Sequence, residues 1–334
     1  MNNTDFAKSS AYMRVQEKRL LTTAAFDRII EVTDKQEVYR MLSQNSDYDF
    51  TQMTRSDEYE GMLKDELKRV YGECYKVAGA FRGIVDILAA KYDFHNMKTA
   101  LKAKHFPQRT RCPYIHVTSL SCRLIEEYAQ DMSAKTDLPS WALSAMSNAD
   151  AAFVRTGNPQ YIDIELDKSQ LSHMLSLALS LDNGFITEYV RMLIDFYNTK
   201  AMLRVKEMGR DGAFLNEVLC PGGKNSPSFY SKNFGKPISG MGQVFMYKYF
   251  GDAVTAGIEL FEKTGSFSGL ERLLDNFAVE YTKKVKLKSF GPELLFAYIL
   301  SKENEIRQIR ILVTCKENSV PGDEIRERLR DNYA

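Results

Sequence analysis

Carboxylate, amide and ammonium side chains recur together in two segments of the chain. Residues 92–104 read YDFHNMKTALKAK and residues 194–206 read IDFYNTKAMLRVK, an offset of 102 residues. Carboxylates such as Asp93 and Asp195 are the groups that general acid–base catalysis uses. Because both acids lie inside a duplicated helix, a structural hydrogen bond that holds helices together is the favoured role, and a catalytic one is the alternative.

The same two segments supply the candidate contact residues. Phe94 and Leu101 lie seven residues apart, as do their counterparts Phe196 and Leu203, so each pair shares one face of a helix. Six polar residues then remain for contacts between domains or with another protein: Asn96, Lys98, Lys102, Asn198, Lys200 and Arg204. Tying helices together within the chain, or facing water, is the alternative for all six.

Two glycine-rich segments invite comparison with nucleotide-binding loops. Segment 221–225 reads PGGKN, but a Walker A loop needs a glycine where Val218 stands and a serine or threonine where Asn225 stands. A helix-ending glycine turn is the favoured interpretation. Segment 240–245 reads GMGQVF and lacks the third glycine of a dinucleotide fingerprint. We therefore expect no bound cofactor.

The histidines and cysteines form no pattern of known chemistry. His95, His105, His116 and His173 are not spaced as metal ligands, and Tyr197 replaces His95 in the second copy. Cys74, Cys112, Cys122, Cys220 and Cys315 are an odd number without a Cys-x-x-Cys pair, which indicates reduced thiols in a cytosolic protein, most of them in the core. We expect no metal site and no catalytic residue.

The densest basic run is Lys283–Lys288, which reads KKVKLK. It is short and has few aromatic neighbours, so a nucleic-acid surface and an anionic-lipid patch are both disfavoured. A solvated helix end is the favoured interpretation, and a docking surface for an acidic partner is the alternative.

The elements that position these residues have helical periodicity. Apolar residues recur at helical spacing over 11–32, 57–104, 169–208, 241–281 and 292–312. Asp34 is a predicted helix cap, Pro107 a predicted helix stop and Pro292 a predicted first-turn residue. Sustained period-two alternation is absent from the sequence, so we predict an all-α fold.

Repetition also predicts the domain organisation. A fainter third copy falls at residues 302–312, where Asn304 follows Asn198 by 106 residues. A single core stops growing at about 250–300 residues, and this chain has 334. We therefore predict three helical repeat domains, 1–108, 109–209 and 210–334.

Composition excludes several classes of function. With 45 Lys and Arg against 44 Asp and Glu, the formal charge is +1, which disfavours a nucleic-acid binder. The first residues after Met1 are polar, so no signal peptide is visible, and no apolar run reaches the roughly 18–20 residues of a membrane span. We expect no direct insertion into a membrane.

Three segments carry a resemblance to a known family. Residues 92–98 (YDFHNMK), 12–21 (YMRVQEKRLL) and 302–310 (KENEIRQIR) resemble stretches of the C subunit of bacterial and archaeal V/A-type ATPases, a relative of the d subunit of the eukaryotic V-ATPase. The first match is fairly specific. The third copy keeps little of the Asp-Phe-Tyr-Asn pattern, so the three domains are expected to be only approximately equivalent.

The resemblance implies an all-helical funnel of three similar domains around a pseudo-threefold axis. It implies a non-catalytic central-stalk subunit of an ion-translocating rotary ATPase or ATP synthase, a socket that couples the shaft, built from the D and F subunits, to the membrane rotor ring. Its place would be cytoplasmic, peripheral to the cell membrane. A helical-repeat interaction scaffold unrelated to ion pumps is the alternative, and an enzyme with a site assembled from distant residues is a second.

Overall fold

The computed structural model describes residues 6–50, 58–108, 114–117 and 120–334, and Cys112 lies outside these ranges. In the described ranges the regular structure is helical and no β-strand occurs, which confirms the predicted all-α fold. The α-helices are α1 (Ala7–Glu17), α2 (Thr23–Glu31), α3 (Lys35–Asn45), α4 (Tyr59–Ala78), α5 (Gly83–His105), α6 (Cys122–Gln130), α7 (Ser140–Thr156), α8 (Gln160–Ser180), α9 (Gly184–Glu207), α10 (Gly212–Val218), α11 (Pro227–Asn233), α12 (Met241–Phe245), α13 (Gly251–Thr264), α14 (Ser268–Lys283), α15 (Pro292–Glu317) and α16 (Gly322–Arg328).

The described residues divide into two compact units. One unit takes its residues from Met1–Ala80 and Lys236–Ala334, and the other from Phe81–Gly235. Their limits differ from the predicted domain boundaries at 108 and 209. The three-domain division therefore stays a prediction.

The Phe81–Gly235 unit contains both duplicated helices. α8 packs against α5, α7 and α9, while α6 packs on α5, and α10 and α11 pack on α9. The core between α5, α7 and α8 includes Phe94, Met97, Met146 and Leu166, all at 0% exposure. The duplicated helix α5 is buried around most of its circumference, as expected for a helix that several neighbours surround.

The other unit is organised around α15. α1, α4, α14 and α16 pack against this helix, α13 packs on α12 and α14, and α2 packs on α3 and α16. Every residue of α15 from Pro292 to Ile299 is buried. Burial over consecutive positions, rather than on one stripe, makes α15 the central helix of this unit.

Two predicted helices are each interrupted. The helix predicted over 57–104 is divided because α4 ends at Ala78, where Gly79 adopts a positive φ of 55° that glycine tolerates best. The helix predicted over 169–208 is divided between Ser180 and Gly184, where Asn183 caps α9 by accepting from the Ile186 N–H at 3.0 Å. Apolar periodicity continues across both breaks, so periodicity alone missed them.

Other predicted boundaries agree with the structure. Asp34 accepts a hydrogen bond from the Gln36 N–H at the start of α3, and Pro292 occupies the first turn of α15. α5 ends at His105, two residues before Pro107. The region 241–281, predicted as one helical pattern, contains α12, α13 and most of α14, because Gly265 ends α13 in the left-handed conformation.

Candidate functional site

The two duplicated asparagines make the same pair of hydrogen bonds. Asn96 of α5 donates from Nδ2 to the Ile115 carbonyl and accepts from the Ile115 N–H, both at 2.9 Å. Asn198 of α9 makes the same two bonds with Cys220, both at 2.8 Å. Both asparagines are fully buried, so their amides satisfy backbone groups that water does not reach. Each amide ties its helix to a loop that follows 19 or 22 residues later.

Asp195 lies one helical turn before Asn198 and binds the next part of the same loop. Its carboxylate accepts from the N–H groups of Lys224 at 3.1 Å and Asn225 at 3.0 Å, and from the Tyr230 hydroxyl at 3.3 Å. Burial, and then the charge of Asp195, raise the pKa of Tyr230, so the hydroxyl keeps its proton and donates it. Asp195 therefore has the structural role that the sequence favours.

The glycine-rich segment 221–225 encloses this carboxylate. A Cβ atom on Gly223 would lie 2.3 Å from Asp195 Oδ1, and Gly222 has a φ of 103°. Successive backbone N–H groups that converge on one negative charge form an anion-binding nest, and here the anion belongs to the same chain. The predicted helix-ending turn is wrong, because α10 already ends at Val218 and Leu219 is extended.

The third copy of the pattern lies one helical turn from its predicted position. Gln308 of α15 donates to the Arg330 carbonyl and accepts from the Arg330 N–H at 2.8 Å, again 22 residues apart. Asn304 makes a single bond of 2.9 Å to the Asp331 carbonyl. Gln308, not Asn304, is thus the counterpart of Asn198, and the offset is 110 residues rather than 106.

An acid stands three residues before the amide in every copy. The pairs are Asp93 and Asn96, Asp195 and Asn198, and Glu305 and Gln308, and all six side chains are buried. A spacing of three residues places acid and amide on one face of the helix, one turn apart. The repeated unit is therefore an acid-x-x-amide pair on a buried helix.

The third acid belongs to a buried ion network. Lys302, at 1% exposure, lies 2.7 Å from Glu305 and 3.1 Å from Glu66, with its ammonium 4.7 Å from the centre of the Tyr48 ring. Burial acts to lower the pKa of Lys302, but the attraction of Glu305 and Glu66 outweighs burial and raises it. Arg69 pairs with Glu66 at 2.7 Å and extends the network to the surface.

The duplicated lysines of α5 bind carboxylates of α8. Lys98 pairs with Asp167, and Lys102 pairs with Asp163 at 2.7 Å. The two pairs are one turn apart on both helices, so they fix the register of α5 against α8. Because all four side chains are partly exposed, each pair contributes about 1 kcal/mol or less.

The second-copy cations lie on α9. Lys200 is half-buried and Arg204 is exposed near the end of α9. No interaction with another protein is visible in a single chain, so contact of these residues with a partner stays a prediction.

A cleft of about 510 Å³ opens beside the α7–α8 pair. Its floor contains Trp141, the single tryptophan of the sequence, stacked on His173 with ring centroids 3.9 Å apart. Burial lowers the pKa of His173, so the imidazole is neutral at pH 7. The polar lining consists of Ser144, Asn148, Glu165, Lys168, Ser169, Ser172 and Ser176. His173 lies at the edge of the core, as its apolar sequence neighbours indicate.

Four of the five cysteines lie in the described part of the chain. Cys74, Cys122, Cys220 and Cys315 are free, and all but Cys122 are buried. Burial raises the pKa of Cys220 to about 11, so this thiol is protonated at neutral pH. Within the described ranges, no three histidine, cysteine or acidic residues are grouped as metal ligands.

Comparison with known proteins gives the family. The family model described as "ATP synthase (C/AC39) subunit" matches residues 9–328. This chain belongs to that family. The membership confirms the resemblance to the C subunit of V/A-type ATPases, and all the repeated acid-x-x-amide pairs lie inside the matched region.

Relatives in the C/AC39 family match over nearly their whole length. The chain is 23% identical to the A-type ATP synthase C subunit of Methanocaldococcus jannaschii, over 97% of this chain and 86% of that protein. It is 20% identical to the V-type sodium ATPase C subunit of Enterococcus hirae, over 98% of this chain and 99% of that protein. An A-type ATP synthase C subunit from a Desulfurococcus species is 24% identical, over 97% of this chain and 90% of that protein.

Sequence reasoning placed Lys302, Glu305 and Gln308 inside the third copy but aligned Asn304 with Asn198, so it missed the acid–amide pair and the ion network of Lys302. Asn304 shares its residue type with Asn198, whereas a search for any acid followed three residues later by any amide finds Glu305 and Gln308. The role of Gly223 also left a sequence signal, the resemblance of segment 221–225 to a phosphate-binding loop. The two resemble each other because both bind an anion through backbone N–H groups.

A membrane-spanning helix must be both long and apolar. Among the described residues, no helix is long enough and apolar enough to cross a bilayer.

Proposed function

We propose that this chain is the non-catalytic central-stalk subunit of a V-type rotary ATPase or ATP synthase. In this role it is a socket that couples rotation of the shaft, the D and F subunits, to the membrane rotor ring. The observation that carries the proposal is the family match over residues 9–328, with relatives named as C subunits that align over 86% and 99% of their length. The match argues against a scaffold unrelated to ion pumps.

A coupling protein must resist twisting under torque, and the buried polar ties suit that demand. Asn96, Asn198 and Gln308 each join a central helix to a later loop through two hydrogen bonds. Closely packed interiors have low compressibility and transmit strain, and a satisfied buried hydrogen-bond network adds rigidity. These features support a body that passes on torque.

The proposal includes a funnel of three similar domains, 1–108, 109–209 and 210–334, around a pseudo-threefold axis. Its support is the recurrence of the acid-x-x-amide pair on α5, α9 and α15, at offsets of 102 and 110 residues. The copies differ in detail, because the third uses glutamate and glutamine in place of aspartate and asparagine.

Among the six candidate contact residues, the four cations are proposed to meet a partner, because each is at least partly exposed. Asn96 and Asn198 are fully buried and are therefore assigned to ties within the chain. Arg204 is exposed and Lys200 half-buried on one helix. The protein would lie at the cytoplasmic side of the membrane through its complex, without a cofactor of its own.

Co-expression with the D and F subunits of the same organism tests the proposal. Size-exclusion chromatography with mass detection should show an equimolar three-chain complex. If none forms, the experiment is repeated with the purified rotor ring, and failure to bind either partner overturns the proposal. Lys200→Glu should weaken assembly without loss of helicity, whereas Lys263→Glu, at an exposed position elsewhere, should have no effect.

A further inference from the structure

The basic run of the sequence forms an exposed 3₁₀-helical turn, Lys284–Leu287, that the proposed coupling role does not use. We call residues 284–290 the basic tip. Lys284, Lys286 and Lys288 are exposed in it, and Leu287 is 92% exposed. Phe290 is 45% exposed at the end of the same turn. An apolar side chain thus stands among cations at the most exposed point of the turn.

The basic tip is held in place by α1. One nitrogen of the Arg14 guanidinium, Nη2, donates to the carbonyls of Val285 at 3.0 Å and Lys288 at 2.5 Å. Ser10 accepts from the Gly291 N–H at 3.2 Å, and Val285 is fully buried beneath the turn. Because these contacts fix the backbone, Leu287 and the lysines are presented with little ordering cost on binding.

Lys284 and Lys286 contribute most to the positive charge. Their ammonium groups lie over the rings of Tyr281 at 4.8 Å and Tyr333 at 4.9 Å, which leaves the full charge of each lysine in place. Lys288, by contrast, pairs with the buried Glu293 at 2.6 Å.

We propose that the basic tip binds the anionic surface of a lipid bilayer. Clustered lysines are attracted to acidic headgroups, and a flanked leucine inserts into the boundary between headgroups and acyl chains. A bilayer accepts a single projecting side chain without a matching cavity, whereas a protein partner needs a pocket for it. This inference stands independently of the socket proposal, since it concerns the full chain alone.

Co-sedimentation of the full chain with vesicles tests the proposal. Vesicles of phosphatidylcholine with about 30% phosphatidylglycerol should bind the chain at low ionic strength, and vesicles of phosphatidylcholine alone should bind it far less. Because each lysine near such a surface is worth about 1 kcal/mol, the double variant Lys284→Gln/Lys286→Gln should bind roughly 30-fold more weakly. Leu287→Ser should also weaken binding.

Matched variants distinguish binding through the basic tip from attraction of the chain's overall charge and exposed apolar surface. Lys236→Gln/Lys263→Gln removes two exposed lysines elsewhere, and Tyr247→Ser removes another exposed apolar side chain, at 93% exposure. Both should bind anionic vesicles like the unmodified chain. Equal binding to neutral and anionic vesicles, or equal losses in the matched variants, would overturn the proposal. So would a tip variant that binds vesicles normally yet fails to assemble with the D and F subunits in detergent, since that result assigns the tip to an acidic protein surface.

Discussion

Gln308 accepts a hydrogen bond of 2.8 Å from the Arg330 N–H and donates another to the Arg330 carbonyl. The pair reproduces the bonds between Asn198 and Cys220 at the same separation of 22 residues. Glutamine is one methylene longer than asparagine, so the amide of the third copy reaches the loop from a longer side chain. The function of the pair, joining a helix to a later loop, is the same.

Asn198→Ala should destabilise the protein. The substitution leaves the Cys220 N–H and carbonyl buried without their side-chain partner, at an expected cost of about 2–4 kcal/mol. Urea unfolding followed by circular dichroism measures the loss. Asn148→Ala, at an exposed position of α7, should change stability by less than about 0.5 kcal/mol. Similar effects of the two variants would contradict a special role of Asn198.

Gly223→Ala should destabilise the protein because the added methyl group collides with a carboxylate. Its Cβ would lie 2.3 Å from Asp195 Oδ1 and 3.0 Å from Cγ, so the nest must open at a cost of about 1–3 kcal/mol. Gly184→Ala is the control, because beyond its chain neighbours and the backbone of its own helix no atom lies within 4 Å of its Cβ position. Thermal unfolding should show a lower Tm for the first variant alone, and an unchanged Tm would refute the collision.

Lys302→Met should cost about 3–5 kcal/mol, because it leaves Glu66 and Glu305 buried without their shared cation. Lys102→Met removes a cation from a partly exposed pair and should cost about 1 kcal/mol or less. The raised pKa of Lys302 also determines how the stability contributed by this lysine changes with pH. Its contribution is complete below the unfolded pKa of 10.5 and is lost as the pH rises through the folded pKa. Denaturation at several pH values checks both expectations.

Fluorescence of Trp141 should report the protonation of His173. Burial lowers the pKa of His173 below 6.5, so the folded state favours the neutral imidazole, and its stabilising contribution is lost as the pH falls. An imidazolium stacked 3.9 Å from the indole should quench its emission. We expect a quenching transition below pH 6.5 that His173→Gln abolishes. A transition at or above that pH would show that burial does not govern this histidine.

The fold was predictable from sequence where local chemistry determines it. Asp34 and Pro292 marked helix starts because capping and proline geometry act over a few residues. The break at Gly79 was missed because the apolar pattern runs through it and one glycine inside a helical pattern is often tolerated.

The candidate site was predictable only in part. The duplication identified Asn96 and Asn198 because identical residues recur at a fixed offset. The ion pairs of Lys98 and Lys102 depend on how α8 packs against α5, which no local pattern encodes. The counterpart role of Gln308 was not predicted, because the third copy preserves the hydrogen-bonding chemistry of the pair and not its residue types.

The carboxylate of Asp195 inside the 221–225 nest behaves as a tethered ligand. Because the backbone of α9 carries it, its effective concentration at the nest far exceeds that of any dissolved anion. A phosphate or nucleotide would have to displace a group that never diffuses away and is hidden from water. The segment that most resembles a nucleotide-binding loop is thus closed to nucleotides by its own chain, and the Lys224 ammonium beside it lies 3.5 Å from Glu188.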